Sequence, residues 1–170
     1  MDIPSDWLQQ LITFSLHNFG LIMLVVAAFF MLLHRIVTRG RVPEAEIVYR
    51  WIAVFSLGFT SIYAGIMHIF YPDIAAAAIG WINSPFQYEV GVADLGFGLI
   101  GLLSFKATYG FRLATVIGNT FWLWGNAIGH LNQIIMHQNF AFGNAGSWFW
   151  LDLVIPLLLI MSIRKLKSAA

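Results

Sequence analysis

The sequence contains no cysteine and very few charged residues. Lys and Arg number 9 and Asp and Glu number 8 in 170 residues, which makes 10% charged residues, whereas soluble domains average about 25%. This shortage excludes an ordinary soluble globular fold. The absence of cysteine excludes disulfides, thiolate nucleophiles and Cys-ligated zinc or iron–sulfur centres. A net charge of +1 also excludes a strongly basic nucleic-acid-binding protein, so no nucleic-acid partner is expected.

Apolar residues are abundant instead, at 59% of the chain with a mean hydropathy of +0.78. An apolar run of about 20 residues spans the hydrocarbon core of a bilayer. Such runs predict five transmembrane helices in one domain of residues 1–170, at about 11–33, 51–70, 85–104, 113–135 and 148–163. Residues 72–80 predict a short interfacial segment. The predicted fold is therefore an all-α bundle that crosses a lipid bilayer several times.

The basic residues predict the orientation of this bundle. With five spans, every Lys and Arg falls on the same side: Arg35, Arg39, Arg41, Arg50, Lys106, Arg112, Arg164, Lys165 and Lys167. Basic loops mark the cytoplasmic side of membrane proteins. We therefore predict an external N-terminus and a cytoplasmic C-terminus in a bacterial inner membrane.

Ionisable residues inside the spans indicate a functional site, because a charge at the bilayer centre costs at least about 2.5–3.5 kcal/mol. Five predicted helices each place one histidine or carboxylate in the same outer layer: His17, His68, Glu89, His130 and Asp152. Asp94 and Asn126 lie one layer deeper. The fourth span also has polar side chains at intervals of three or four residues, which face one side of a helix: Asn119, Trp122, Asn126, His130, Gln133 and His137.

Several of these positions have a structural interpretation as well. His17 and His68 lie near helix ends, where histidines often contact water or a carbonyl. Glu89 lies in a first helical turn, where the helix dipole favours an anion. The asparagines of the fourth span are suited to hydrogen bonds between helices. Asp94 is different, because a carboxylate near mid-membrane needs a partner or a proton.

Imidazoles and carboxylates at one depth suit a divalent transition metal. We expect His68, Glu89, His130 and Asp152 to be the metal ligands, with His17 as a further candidate and Zn, Fe or Cu as the metal. A small polar ligand would instead contact Asp94, Trp122, Asn126 and Asn144. No local metal motif such as HExxH is present, so the prediction depends on shared depth alone.

Two other functions remain open at this stage. Asp94, Asn126 and His130 could carry a proton part-way across the membrane, which suggests a proton- or cation-coupled transporter. The chain could also be a non-catalytic accessory subunit, or form a homo-oligomer. Whether the protein is an enzyme is left open.

Local signals refine two of the spans. Residues Ser84 to Gln87 fit a capping box with a proline at the first helical position, and Ser147 is a good N-cap residue. Pro156 removes an intrahelical hydrogen bond and frees the carbonyl of Asp152. Glycines allow close helix contacts, and the third span has four of them: Gly91, Gly96, Gly98 and Gly101.

The segment from Ile79 to Gly98, IGWINSPFQYEVGVADLGFG, resembles a family of small prokaryotic integral membrane proteins of unknown function. The similar positions are His68, Gly80-Trp81, Ser84 to Glu89, Asn126 to His130, Asn144 to Gly146 and Asp152 to Pro156. Asn126 departs from the family pattern, in which a glycine is expected. The resemblance covers roughly residues 60–160 and implies a membrane fold that is distantly similar to DoxX-type four-helix proteins. It implies no activity.

Overall fold

The structure is a computed structural model that describes residues 5–168. The outermost six residues of the predicted 1–170 domain lie outside the described residues. Within residues 5–168 the chain is helical and has no strand. The helices are α1 (Ser5–His17), α2 (Phe19–Thr38), α3 (Glu44–Trp51), a π-helix (Ile52–Phe59), α4 (Thr60–Phe70), α5 (Pro72–Ile79), α6 (Phe86–Leu103), a 3₁₀ turn (Ser104–Lys106), α7 (Tyr109–His137), α8 (Phe142–Ala145) and α9 (Ser147–Ser168).

Four helical segments are long and apolar enough to cross a membrane. They are Phe19–Thr38, Glu44–Phe70, Phe86–Lys106 and Phe142–Lys167. The predicted fourth span, 113–135, lies within α7, which is not one of these four segments. The four segments indicate a membrane protein in contact with lipid. The predicted short helix at 72–80 is present as α5, which ends at Gly80 in a left-handed conformation.

The first apolar segment begins at Phe19, eight residues later than the predicted start at residue 11. Asn18 separates α1 from α2 with φ −106° and ψ 22°, and its side-chain amide donates to the carbonyl of Phe14 at 3.0 Å. An asparagine competes with the helical backbone in this way through its own side chain. Residues 11–17 therefore belong to a separate helix, α1.

Glycines bring α4 and the π-helix close to α6. A Cβ atom on Gly91 would lie 3.0 Å from the carbonyl oxygen of Gly65, and one on Gly98 would lie 2.8 Å from the carbonyl oxygen of Gly58. Only glycine leaves room for such a backbone approach. Gly101 makes a similar contact, whereas Gly96 has nothing within 4 Å. The close contact predicted for this span therefore involves three of its four glycines.

A buried ion pair joins the helices at one end of the bundle, which we call the basic end. Arg112 at the start of α7 donates from both Nη atoms to the Glu46 carboxylate of α3, at 2.7 and 3.0 Å. It also donates to the carbonyls of Ser104 and Phe105 at 3.1 and 2.7 Å. Because Arg112 is only 7% exposed, these bonds hold α3, the 3₁₀ turn after α6 and α7 together in an environment with little water.

The other end of the bundle, which we call the opposite end, is joined by different contacts. The side chain of Asn139, just after α7, donates to the carbonyl of Ile79 at the end of α5, at 2.9 Å. Trp148, near the start of α9, donates to the carbonyl of His17 at 2.8 Å. Helices α7 and α9 therefore each extend from one end of the bundle to the other, since α9 also packs along α3 through the apolar core.

Candidate functional site

Buried polar side chains from α6, α7, α8 and α9 meet in the half of the bundle nearer the opposite end. We call this group the carboxylate cluster, and it consists of Asp94, Trp122, His130, Asn144 and Asp152. Trp122 Nε1 donates to Asp94 Oδ1 at 2.8 Å. His130 Nε2 lies 3.8 Å from Asp152 Oδ2. The Asp94 carboxyl group also acts electrostatically on that of Asp152, so the two acids influence each other.

Helical periodicity explains how α7 contributes to this cluster. Trp122 and His130 are eight residues apart, which is twice the four-residue spacing that keeps side chains on one face of a helix. Asn119 on the same face is 1% exposed, and Asn126 and His130 are half-buried. His137, at the end of the helix, is exposed. The polar stripe therefore faces the bundle interior along most of α7 and reaches solvent at its last turn.

Asn144 determines which ring nitrogen of His130 carries hydrogen. The Asn144 side-chain nitrogen donates to the carbonyls of Asn139 and His130, at 2.9 and 3.4 Å. Its oxygen lies 2.7 Å from His130 Nδ1. An amide oxygen only accepts hydrogen bonds, so His130 Nδ1 is the donor. In neutral His130 the other nitrogen, Nε2, then presents a lone pair toward Asp152.

The cluster contains no lysine or arginine that would balance its two carboxylates. Along their own helices, Asp94 is about 18 Å from Lys106 and Asp152 is about 18 Å from Arg164, at 1.5 Å per residue. Both carboxylates are nevertheless buried, with 7% and 9% of the residue exposed. Burying an ionised carboxylate without a partner is very costly. Each carboxyl group must therefore either carry a proton itself or be balanced by a positive charge, from protonated His130 or from a bound cation.

The proline of α9 contributes to the same region. Pro156 is buried inside the helix four residues after Asp152, so the Asp152 carbonyl lacks its usual helical donor. Trp124 Nε1 of α7 donates to the adjacent carbonyl of Leu153 at 3.4 Å. A side chain of a neighbouring helix thus contributes a donor at the proline-interrupted turn. Sequence reasoning did not assign this role to Trp124.

The structure separates the other predicted metal ligands from this cluster. His68 pairs with Gln87, whose Oε1 lies 2.5 Å from His68 Nδ1. Glu89 is exposed, and His17 packs its ring 5.4 Å from that of Phe142. In residues 5–168, no group of three or more His, Asp and Glu side chains is arranged to hold a metal ion. Of the four predicted ligands, only His130 and Asp152 are brought together.

Equal depth did not bring these residues together because depth does not define the direction in which a side chain points around its helix.

Among the predicted ligand-binding residues, Asp94, Trp122 and Asn144 belong to the cluster. Asn126 is half-buried between Trp122 and His130 on the same face of α7. Sequence reasoning missed Trp81, whose ring lies 6.3 Å from that of His130. The Gly-Trp pair at 80–81 was the signal available for it.

The predicted capping box at the start of α6 does not form. The helix begins at Phe86 without a side-chain capping hydrogen bond, and only the backbone N–H of Gln87 donates to the Ser84 carbonyl, at 3.0 Å. The Gln87 side chain turns instead toward His68. Ser147 likewise becomes the first residue of α9, and its hydroxyl donates to the Asn18 side chain at 3.3 Å. In both places a contact between helices replaces a local cap.

Two cavities lie elsewhere at the opposite end. One of about 640 Å³ is bounded by the polar side of α1, with Asp6, Gln9 and His17, and by Phe142. The other, of about 390 Å³, lies between α4 and the start of α6 and includes His68 and Gln87. The residues of the carboxylate cluster line neither cavity. The cluster is thus separate from both of these cavities.

Four apolar helical segments together with this buried network define the class, which is a helical membrane protein with a polar site in its core. The chain matches the model of the DUF6790 family, a family of unknown function, over residues 17–168, and it belongs to that family. No curated protein and no solved structure matches the chain. The membership agrees with the predicted relationship to a family of unknown function, and it supplies no activity.

Proposed function

We propose that this protein binds a small cation or a small polar ligand that donates hydrogen bonds, at the carboxylate cluster. One observation carries the proposal. His130 Nε2 and Asp152 Oδ2 are both acceptors when the histidine is neutral and the carboxylate ionised, and they face each other across 3.8 Å. Two acceptors do not bond to each other, but a donor or cation between them would bond to both. The nearby Asp94 carboxylate adds to the attraction for positive charge.

A transition metal is one form of this proposal. His130 and Asp152 carry donor atoms that suit Zn, Fe or Cu. A third ligand from the cluster would be Asp94, whose Oδ1 already accepts from Trp122 at 2.8 Å. A metal would therefore require Asp94 to use its other oxygen or to move. A monovalent cation or a polar molecule with N–H groups needs no such change, and we favour this class.

We further propose that α7 is a fifth membrane crossing, with the carboxylate cluster in the extracytoplasmic half of a bacterial plasma membrane. Its 29 residues extend about 43 Å at 1.5 Å per residue, which is longer than a hydrocarbon core of about 30 Å. The contacts of Arg112 and Asn139 at opposite ends of the bundle support this arrangement. A reporter fused after residue 170 is expected to be cytoplasmic. An external reporter signal would reject the five-span topology.

Binding can be tested on protein in lipid nanodiscs, purified without chelators or metal-affinity resin. We would measure bound metal by elemental analysis and titrate ammonium, Na⁺ and Zn²⁺ by calorimetry. We expect one of these cations to bind, and expect Asp152→Asn and His130→Gln each to weaken it at least tenfold. His137→Gln is the matched control, because His137 is exposed on the same helix. Absence of bound metal and of cation binding would favour the accessory-subunit alternative.

A proton- or cation-coupled transporter is a second candidate, favoured by interruptions in two helices that surround the bundle core. The second apolar segment contains the π-helix Ile52–Phe59, and α9 contains Pro156. Such interruptions are frequent at functional sites and weaken the regular helical bonding. This candidate predicts cation flux into liposomes that Asp94→Asn abolishes. Flux that is unchanged in that variant would reject it.

The remaining finer predictions rest on the sequence alone. A distant relationship to DoxX-type four-helix proteins is suggested by the resemblance of residues 60–160. A homo-oligomer or a membrane partner subunit is consistent with the many apolar side chains on the surface, such as Val25, Phe121 and Ile128. Lipid contacts account for the same exposure. Cross-linking in native membranes would distinguish the two explanations.

A further inference from the structure

A separate polar site lies between α4 and the start of α6. We call it the His68 cavity; it is an open groove of about 390 Å³, and its residues Asn83, Ser84 and Tyr88 are exposed. Its polar lining comes from His68, Asn83, Ser84, Gln87 and Tyr88. The apolar part consists of Ile69, Pro72 and Pro85. None of these eight side chains is a carboxylate, a lysine or an arginine, so the lining carries no permanent charge.

Gln87 determines the hydrogen-bonding character of this cavity. The Gln87 oxygen lies 2.5 Å from His68 Nδ1, and because an amide oxygen only accepts, Nδ1 carries the hydrogen. The lone pair of neutral His68 is then on Nε2, the ring nitrogen that Gln87 does not engage. Gln87 is itself 5% exposed. A buried amide therefore orients a half-buried imidazole so that it can accept a hydrogen bond in the cavity.

Contacts between neighbouring helices and the loop surround the cavity. A Cβ atom on Gly91 would lie 3.1 Å from Cβ of His68, so the glycine allows α6 to pack directly against the histidine. Asn83 Nδ2 donates to the Asp73 carboxylate at 2.7 Å, which connects the loop to α5. These two contacts connect α6 with α4 and the loop with α5 before any ligand binds. Such preorganisation lowers the entropic cost of binding.

We propose that the His68 cavity binds a neutral molecule that carries hydroxyl groups. A hydroxyl would donate to His68 Nε2, while Ser84 and Tyr88 can each donate or accept a hydrogen bond. The prolines and Ile69 would contact the carbon skeleton. An anion finds no cationic side chain in the lining, and a cation finds no carboxylate. A soluble polyol and the glycerol headgroup of a lipid share the required chemistry.

The His68 ring nitrogens provide a direct readout. We would record imidazole ¹⁵N resonances of histidine-labelled protein in phosphatidylcholine nanodiscs and titrate myo-inositol, glycerol, inorganic phosphate and ammonium. We expect the polyols to shift the Nε2 resonance of His68 saturably, and phosphate and ammonium to leave it unchanged. Nanodiscs with phosphatidylglycerol test the lipid source, because a headgroup in the cavity would produce the shift without added polyol.

Variants make this test decisive. Gln87→Ala is expected to abolish the shift by releasing the His68 ring, and Ser84→Ala and Tyr88→Phe, which remove only hydroxyls, are expected to weaken binding at least threefold. Tyr71→Phe is the control, because Tyr71 is exposed and outside the lining. No saturable shift with any polyol or with phosphatidylglycerol, or an equal shift with phosphate, would overturn the proposal. Asp152→Asn should leave the shift intact, which separates this result from that of the carboxylate cluster.

Discussion

Replacing Asn144 with alanine is the sharpest test of the carboxylate cluster. The Asn144 side chain is fully buried. It accepts from His130 Nδ1 at 2.7 Å and donates to the Asn139 carbonyl at 2.9 Å, with a longer contact to the His130 carbonyl. Alanine removes all of these bonds without adding volume. The His130 Nδ1–H and the Asn139 carbonyl then lose their partner.

The magnitude follows from the two groups that are left unpaired. Hydrogen bonds between membrane helices contribute only about 0.6 kcal/mol on average and up to about 1.7 kcal/mol. A buried donor or acceptor without a partner costs more, about 1–3 kcal/mol each. Because Asn144→Ala leaves one of each, we expect the free energy of unfolding to fall by about 2–6 kcal/mol. Neutral His130 is also expected to shift its hydrogen to Nε2, where it can bond to Asp152.

The unfolding free energy can be measured by SDS titration in mixed micelles, and the tautomer by the imidazole ¹⁵N resonances of His130. Asn83→Ala is the matched control, since Asn83 is exposed and its side-chain nitrogen makes a single bond to Asp73. Surface substitutions of this kind usually change stability by less than about 0.5 kcal/mol. A loss below 1 kcal/mol for Asn144→Ala, with Nδ1 still protonated, would refute the assignment of Asn144 as the residue that orients His130.

Three further stability predictions use the same unfolding measurement. Arg112→Met should cost about 1.5–3 kcal/mol because it removes charged hydrogen bonds to the partly buried Glu46 carboxylate, which keeps Arg50 Nε at 2.6 Å as a remaining partner, whereas exposed Arg41→Met should change little; equal effects would contradict the contribution of this ion pair. Gly91→Ala should destabilise by about 1–3 kcal/mol through overpacking, while Gly96→Ala, with nothing within 4 Å, should be neutral or stabilising. Trp122→Phe should cost about 1.5–3 kcal/mol by removing a donor to a buried carboxylate, and an unchanged stability would show that this bond contributes nothing.

The depth of each side chain along its helix could be predicted from the sequence, and depth indicated several residues of the carboxylate cluster. Depth indicates Asp94, His130 and Asp152, and all three belong to the carboxylate cluster. Glu89 and His68 were chosen by the same argument and lie outside it. The difference is rotational, since Glu89 points away from the bundle and His68 toward Gln87 of α6. Counting residues gives the height of a side chain in a membrane and leaves its direction undefined.

The periodicity of α7 was more informative than depth. Polar residues every three or four positions predicted an inward face, and Asn119, Trp122 and His130 do point into the bundle. The same polarity removes α7 from the helices that qualify as spans by composition. Asn18 had a comparable effect on the first segment, where a single polar residue ended α1 within an apolar run. A hydropathy average over a window of residues does not detect a single polar side chain that competes with the helical backbone for hydrogen bonds.

The sequence by itself determined that the chain is helical and apolar enough for a membrane, because both properties depend on composition and local periodicity. It also determined that all basic residues lie at the ends of the predicted helices. Only the tertiary structure decided that His130 bonds to Asn144 and lies beside Asp152, while His68 pairs with Gln87. These pairings depend on how each helix is rotated about its axis, and close packing at positions such as Gly65 and Gly91 sets that rotation.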